Sequence, residues 1–337
     1  MAAKVSAIET IRVEEFPNLL WVRVEADDGA DGLGETFYGP GAAEAHIHDI
    51  IAPYLLGKDP HRIEQHQRHL TGYVGFSGAG AEMRGRSAVD IALWDLFAKS
   101  KDMPLHQALG GAVRDSIRVY NTCAGTRYVQ NRPTQGTDNF GLDVSSDGYE
   151  DLDAFLNRAD ELATSLLEMG ITAMKIWPFD YAAEATSGHH ISPQDLATAM
   201  APFEIIREKH GDRMDIMMEY HALWQLPVAL QIADALKDFD IYWHEDPVPM
   251  DNFGDLAEYK KRTNVRVAGS ENLGTKTWYR EVFERRAIDV AHFDLCWIGG
   301  LTEGRKVAAL AEAYDRPIAP HDCIGPVGFA ANLHLLM

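Results

Sequence analysis

Cysteine is scarce in this chain of 337 residues: Cys123, Cys296 and Cys323 are the only three. Three scattered thiols cannot build a disulfide framework, so a hydrophobic core must hold the fold, and the usage fits a reducing cytoplasm. Long apolar runs are missing as well. No stretch approaches the roughly 18 residues that span a bilayer. The N-terminus, MAAKVSAIETIRVEEF, alternates as a strand does and lacks the apolar core of a signal peptide. Basic residues are few, 31 Lys and Arg against 51 Asp and Glu, for a formal net charge of −20. A nucleic-acid surface needs the opposite balance. An anionic substrate would need positive charge placed locally, and a metal ion is the first source to consider.

Apolar content is ample at 46%, enough for one large domain or two ordinary ones. Residues 1–113 read as a mixed α+β unit. VSAIETIRV and LLWVRVEADDG alternate and are joined by FPN, which predicts a hairpin. GLGETFYG reads as a Gly-rich loop or short strand. Helical spacing follows in AAEAHIHDIIAPYLLG, PHRIEQHQRHLTGY and GAEMRGRSAVDIALWDLFAKS, the last with Ala88, Ile91, Ala92 and Leu96 on one face.

From residue 114 the pattern changes to short apolar runs alternating with helices. The runs are SIRVYNTCA, TAMKIW, DIMMEYH, IYWHED, VRVAGSE, VAHFDLCW and PIAPHD; the helices include DAFLNRADELATSLLEMG, LPVALQIADALKDF and TEGRKVAALAEAY. Sustained strand–helix alternation predicts a parallel sheet covered by helices, and seven units favour a barrel over an open sheet. Glu219, Glu245, Glu271, Asp294 and His321 recur at strand ends, 26, 26, 23 and 27 residues apart. One βα unit of a barrel takes about that length, which puts all five on the C-terminal rim, where barrel active sites are built. Three carboxylates converging there repel one another unless a cation sits between them. Oxygen-only ligands select a hard ion, Mg²⁺ first and Mn²⁺ second.

These residues resemble a family. RSAVDIALWDLFAKSKDMPLHQALGG, MEYHALW, HEDPV, GSEN, FDLCWIGGLTE and APHDCIGP are similar, in order and spacing, to the motifs of the enolase superfamily, mandelate racemase subgroup, and most similar to its acid-sugar dehydratases. The resemblance implies an α+β capping domain over 1–113 and a (β/α)7β-type modified TIM barrel over 114–337, the last strand absent from the chain. The natural protein is therefore expected to be longer by roughly 40–60 residues, one or two βα-sized units.

Carried over by position, Glu219, Glu245 and Glu271 would hold Mg²⁺, and Asp294 and His321 would form the subgroup's dyad. Lys175 would match the first lysine of Lys-x-Lys, whose second is replaced by Trp177. Glu219 stands where Asp is usual. His221 stands where galactonate-type dehydratases carry histidine. The family's pattern, a Lys or His base with Mg²⁺, assigns His321 as base and His221 as acid on the leaving hydroxyl. By strand alternation His221 and Glu219 share a face.

A racemase needs bases on both faces of its substrate, and Trp177 removes one, which favours loss of water from an aldonate or aldarate to give a 2-keto-3-deoxy acid. The alternatives are a racemase, epimerase or cycloisomerase on a related acid, and a catalytically idle sugar-acid-binding sensor. Phe37 and Tyr38, on the capping loop DGADGLGETFYGPG, are weaker substrate candidates together with Trp177. His244 is expected to face the helices, Asp246 to orient a neighbour, and Asn272 and Asp322 to flank the site. His189 and His190 fall in YAAEATSGHHISPQ, read as a loop. The long stretch 125–150 reads as a lid or assembly contact. The expected setting is a cytoplasmic homo-oligomer acting on a small carboxylate, with no nucleic acid and no membrane.

Overall fold

The computed structural model describes residues 3–71, 78–125, 150–323 and 325–337. The predicted lid or assembly segment falls on 126–149 and lies outside them, apart from its two ends.

Strands β1 (Val5–Ile11), β2 (Leu19–Ala26) and β3 (Asp31–Phe37) form an antiparallel sheet in that order. β2 shows why: Leu20, Val22, Val24 and Ala26 are buried, and the residues between them are partly exposed. The predicted hairpin is present, with Ile11 opposite Trp21. The Gly-rich stretch proves to be β3 itself, so only its last residues are free to act as a loop. Its glycines serve packing. A Cβ on Gly34 would sit 1.8 Å from the Ala88 carbonyl oxygen, and one on Gly32 would sit 2.0 Å from that of Ala92. The strand therefore lies backbone to backbone on a helix.

That helix follows α1 (Pro40–His46), a π-helical turn at Ile47–Ile51, α2 (Ala52–Leu55) and α3 (Ile63–Leu70). It is α4 (Ala81–Ser100), with α5 (Leu105–Ala108) after it. A single apolar face was too narrow a prediction for α4. Buried residues, among them Arg86, Ser87 and Asp90, run round most of it, because it is sandwiched between the sheet and the second half of the chain.

The second half begins with α6 (Asp151–Asn157) and α7 (Ala159–Glu168), where one helix was predicted; the backbone leaves helical geometry at Arg158. Then follow β4 (Ala173–Ile176), α8 (Asp180–Thr186), α9 (Pro193–His210), β5 (Asp215–Glu219), α10 (Leu226–Leu236), β6 (Trp243–Glu245) and α11 (Phe253–Thr263). The described chain closes with β7 (Val267–Gly269), α12 (Lys276–Glu284), β8 (Val290–Ala291), α13 (Gly300–Ala313) and α14 (Pro326–Leu336).

β4 to β8 are parallel and in sequence order. Single bridges, Asn121 to Met174 and Ala291 to Ile318, extend the sheet at either end to seven strand positions. SIRVYNTCA and PIAPHD, predicted as strands, are thus reduced to bridges, and VAHFDLCW to the two residues of β8. There the chain leaves the ladder for a turn in which Asp294 Oδ1 accepts from Cys296 N at 2.6 Å. Between the two ends the described residues leave a cleft of about 780 Å³ lined by Tyr120, Trp243, Ala319, Phe329 and Leu333.

YAAEATSGHHISPQ also departs from prediction. Asp180–Thr186 is helical, and His189 and His190 lie exposed after it. No helix among the described residues is long and apolar enough to cross a membrane.

Candidate active site

The rim residues converge. Glu219 and Glu245 close β5 and β6 and are paired across the ladder; Glu271, Asp294 and His321 follow the ends of β7, β8 and the Ile318 bridge. Lys175, on β4, points into the same space. Its Nζ lies 2.9 Å from Glu219 Oε2 and bonds Glu245 Oε1 as well, with all three side chains buried. Burial disfavours the ammonium, yet Glu245 and Glu219 outweigh it and hold the Lys175 pKa well above its ordinary value. Burial and the neighbouring Glu245 push Glu219 upward. Burial also opposes charge on Glu245, but His292 and Lys175 keep it low. The pair thus shares its charge unequally.

His321 is held at both ring nitrogens. Nδ1 is 2.7 Å from Asp294 Oδ2, and Nε2 is 3.0 Å from Glu271 Oε2. Burial disfavours the imidazolium, but Cys323, Glu271 and Asp294 together raise the pKa well above 6.5. Trp297 packs on this ring at 5.5 Å between centroids.

His221 reaches the site by another route than strand alternation. β5 ends at Glu219, and His221 (φ 48°) and Ala222 (φ 58°) adopt left-handed backbone, so the period-2 argument does not apply. The turn delivers the ring nonetheless: His221 N donates to Glu219 Oε1 at 2.7 Å, and Nδ1 lies 2.6 Å from Asp180 Oδ2. Burial disfavours its charged form, but Asp180 and Glu219 prevail and lift the pKa to about 10.

Trp177 stands edge-on to this ring at 5.4 Å and donates to the Thr122 carbonyl at 3.2 Å, which makes it a wall of the site. Phe37 is fully buried under Trp297 and so offers no surface to a substrate; Tyr38 is partly exposed beside it. His244 faces away, as predicted, toward the Tyr220 and Tyr259 hydroxyls. Asp246 accepts from Ser270 Oγ at 2.5 Å, and burial with Glu271 and Glu245 nearby lifts its pKa to about 8. Asp322 contacts Asn332.

The residues fit a divalent cation. Glu245 and Glu271 offer oxygens within 4.8 Å of one another, Glu219 lies beside Glu245 across the ladder, and a cationic group, the Lys175 ammonium, already bridges Glu219 and Glu245. Oxygen donors in excess of local positive charge suit Mg²⁺ or Mn²⁺. One detail differs from the predicted ligand set: the atoms all within 4.8 Å of one another belong to Glu245, Glu271 and His292, while Glu219 is turned to Lys175 and His221.

Two contacts were missed in the sequence. His292, fully buried, lies 2.9 Å from Glu245 Oε1; it follows the two residues of β8, where strand alternation no longer applies, so no periodic signal marked it. Asp180 carried no periodic signal, because it starts a short helix beyond the strand.

The models of two domains match the chain: the mandelate racemase / muconate lactonizing enzyme N-terminal domain over residues 6–110 and the enolase C-terminal domain-like model over 158–337. The chain belongs to the enolase superfamily. Within the superfamily it is similar to a solved enolase of the mandelate racemase subgroup from Agrobacterium tumefaciens, at 46% identity and a TM-score of 0.86, over 98% of this chain and 82% of that one. A solved enolase protein from Sargasso Sea environmental sequencing is 43% identical at a TM-score of 0.87, over 99% and 82%. Among curated relatives, the D-xylonate dehydratase of Haloferax volcanii is 29% identical, over 98% of this chain and 75% of its own length. D-galactonate dehydratase of Variovorax paradoxus is 28% identical, over 98% and 78%. The superfamily architecture, an antiparallel capping sheet with a parallel α/β barrel, is the one described above.

Proposed function

We propose that this enzyme removes water from a sugar acid, an aldonate or aldarate, to give a 2-keto-3-deoxy acid. The observation that carries the reading is the pair of imidazoles, His321 and His221, each braced by an aspartate and both directed at one carboxylate cluster. The relatives named as xylonate and galactonate dehydratases support it. We also infer that residues 1–113 form the capping domain and 114–337 the barrel, and that the enzyme works in the cytoplasm.

Glu219, Glu245 and Glu271 would hold Mg²⁺. A divalent cation there would take up the charge of Glu271 and stabilise the oxygens of the enediolate that forms when a proton leaves the carbon next to the substrate carboxylate. His321 Nε2 takes that proton; the C–H electron pair enters the enediolate, and Asp294 steadies the ring through Nδ1. The pair then returns to form the carbon–carbon double bond, the C–O bond at the next carbon breaks with its electrons on oxygen, and His221 supplies the proton with which water departs. The enol that remains tautomerises to the keto acid. Lys175 supplies fixed positive charge beside the carboxylates, and Trp177 walls off the site on the His221 side.

Proton NMR in D₂O with Mg²⁺ and pooled aldonates and aldarates tests the reading. New 2-keto-3-deoxy signals are expected. Deuterium at the α-carbon with no loss of water would replace it by racemisation or epimerisation.

A further inference from the structure

We propose that Asp180 is the positioning residue of His221, so that the site contains two aspartate–histidine pairs, one for each proton transfer. The inference rests on the dehydration reading for what His221 does, and on geometry for the pairing itself. Asp180 is fully buried at the first turn of α8. Its Oδ2 lies 2.6 Å from His221 Nδ1, and among the described residues its Oδ1 has no hydrogen-bond partner. A buried carboxylate whose one partner is an imidazole is costly to keep for folding alone. His221 accepts left-handed backbone at φ 48° to meet it, and such strain persists where surrounding structure imposes it.

The geometry repeats that of the other pair. Asp294 meets His321 at Nδ1 at 2.7 Å, and Asp180 meets His221 at Nδ1 at 2.6 Å. In each ring the aspartate engages Nδ1, which assigns the transfer to Nε2; in His321 that nitrogen faces Glu271 Oε2 at 3.0 Å. The pairs come from different parts of the barrel. Asp180 and His221 follow β4 and β5; Asp294 and His321 follow β8 and the Ile318 bridge, so the two histidines sit four strand positions apart. Trp177 packs edge-on against His221 at 5.4 Å between centroids, so Asp180 and Trp177 both bear on its orientation.

Two measurements test the proposal. The first is partition. With a turning-over sugar acid in D₂O, Asp180→Ala should lose at least a hundredfold in water loss while α-proton exchange falls no more than a few-fold. Asp180→Asn, which keeps an acceptor for the Nδ1 proton, should lie between it and the parent. A merely structural role would lower both rates together, and an unchanged ratio overturns the proposal. The second measurement needs no turnover. In ¹⁵N-histidine-labelled protein, the hydrogen-bonded Nδ1 resonance that disappears in His221→Asn should also shift or vanish in Asp180→Asn. Its persistence unaltered overturns the pairing. Should the parent enzyme exchange protons without losing water, the dehydration reading falls, and the resonance still decides whether Asp180 positions His221.

Discussion

Lys175 Nζ and Glu219 Oε2 meet at 2.9 Å inside the barrel, with neither side chain exposed by more than 3%. Glu245 shares the same ammonium. Removing one partner of a buried charge cluster leaves the others uncompensated, at a cost of about 3–5 kcal/mol. Lys175→Met should therefore lower the unfolding midpoint sharply in EDTA. Mg²⁺ should restore much of it, because a ligand that binds only the folded state adds about 2.7 kcal/mol at a hundred times its Kd. Glu245→Gln should abolish the Mg²⁺-dependent gain. A parent protein whose melting temperature ignores Mg²⁺ and Mn²⁺ would remove the metal site from the proposed mechanism.

His321→Asn deletes the proposed base and leaves a smaller side chain whose amide can still donate a hydrogen bond to Asp294. General-base catalysis is worth about 10²–10⁴-fold, so α-proton exchange should fall by that range. Exchange at the parental rate would show that another group takes the proton, and Lys175 would be the next to test.

The close approach of β3 and α4 makes a prediction about packing. A Cβ at Gly34 would meet backbone, the Ala88 carbonyl oxygen at 1.8 Å. Neither partner can rotate away, so Gly34→Ala should destabilise by about 3 kcal/mol, the upper part of the overpacking range. Gly254 is the control. It lies in α11, and its nearest would-be neighbour is Asn252 Oδ1 at 3.4 Å. Gly254→Ala should stabilise by about 0.5–1 kcal/mol. Urea midpoints for the two variants should move in opposite directions.

Asp90 links α4 to α13. It accepts from Thr302 N at 2.8 Å, Thr302 Oγ1 at 2.6 Å and Gln67 Nε2 at 2.8 Å. Burial outweighs these bonds and raises its pKa from 3.8 to about 6. The folded state therefore holds this proton more tightly than the unfolded chain does. Its contribution to stability is greatest below pH 3.8, declines as pH rises toward 6, and is flat above that. Two units correspond to about 3 kcal/mol across the window. In the difference between parent and Asp90→Asn, stability should shift toward the variant as pH rises through this window. A pH-independent difference would show that Asp90 titrates normally.

Glu35 shows how the capping sheet reaches the dyad. From β3 it accepts from Trp21 Nε1 at 2.7 Å and from Gly325 N at 2.8 Å at the start of α14, just beyond His321. Burial raises its pKa against these bonds. Glu35→Ala strips a charged acceptor from several buried donors and should cost about 2–3 kcal/mol, measured as a lower urea midpoint.

The rim was legible because barrel geometry converts spacing into height. Glu219, Glu245, Glu271, Asp294 and His321 recur at unit length, and the structure brings all five to one place. The hairpin was legible because β2 alternates. β3 was ambiguous because Gly32 and Gly34 serve a neighbouring helix 50–60 residues away, and sequence read locally sees only weak strand formers. His221 was predicted to lie at the site, but by alternation along a strand that had already ended.

The order of elements, the parallel sheet and the ring of acidic and imidazole groups at its rim can be read from the residues alone, because they depend on periodicity and repeat length. Which group answers to which is set by packing. That Asp180 meets His221, that His292 stands under Glu245, that Lys175 lies between two carboxylates and that Glu35 reaches Gly325 all join residues far apart in the chain. Their distances depend on how strands, turns and the two halves pack, and no local pattern encodes that.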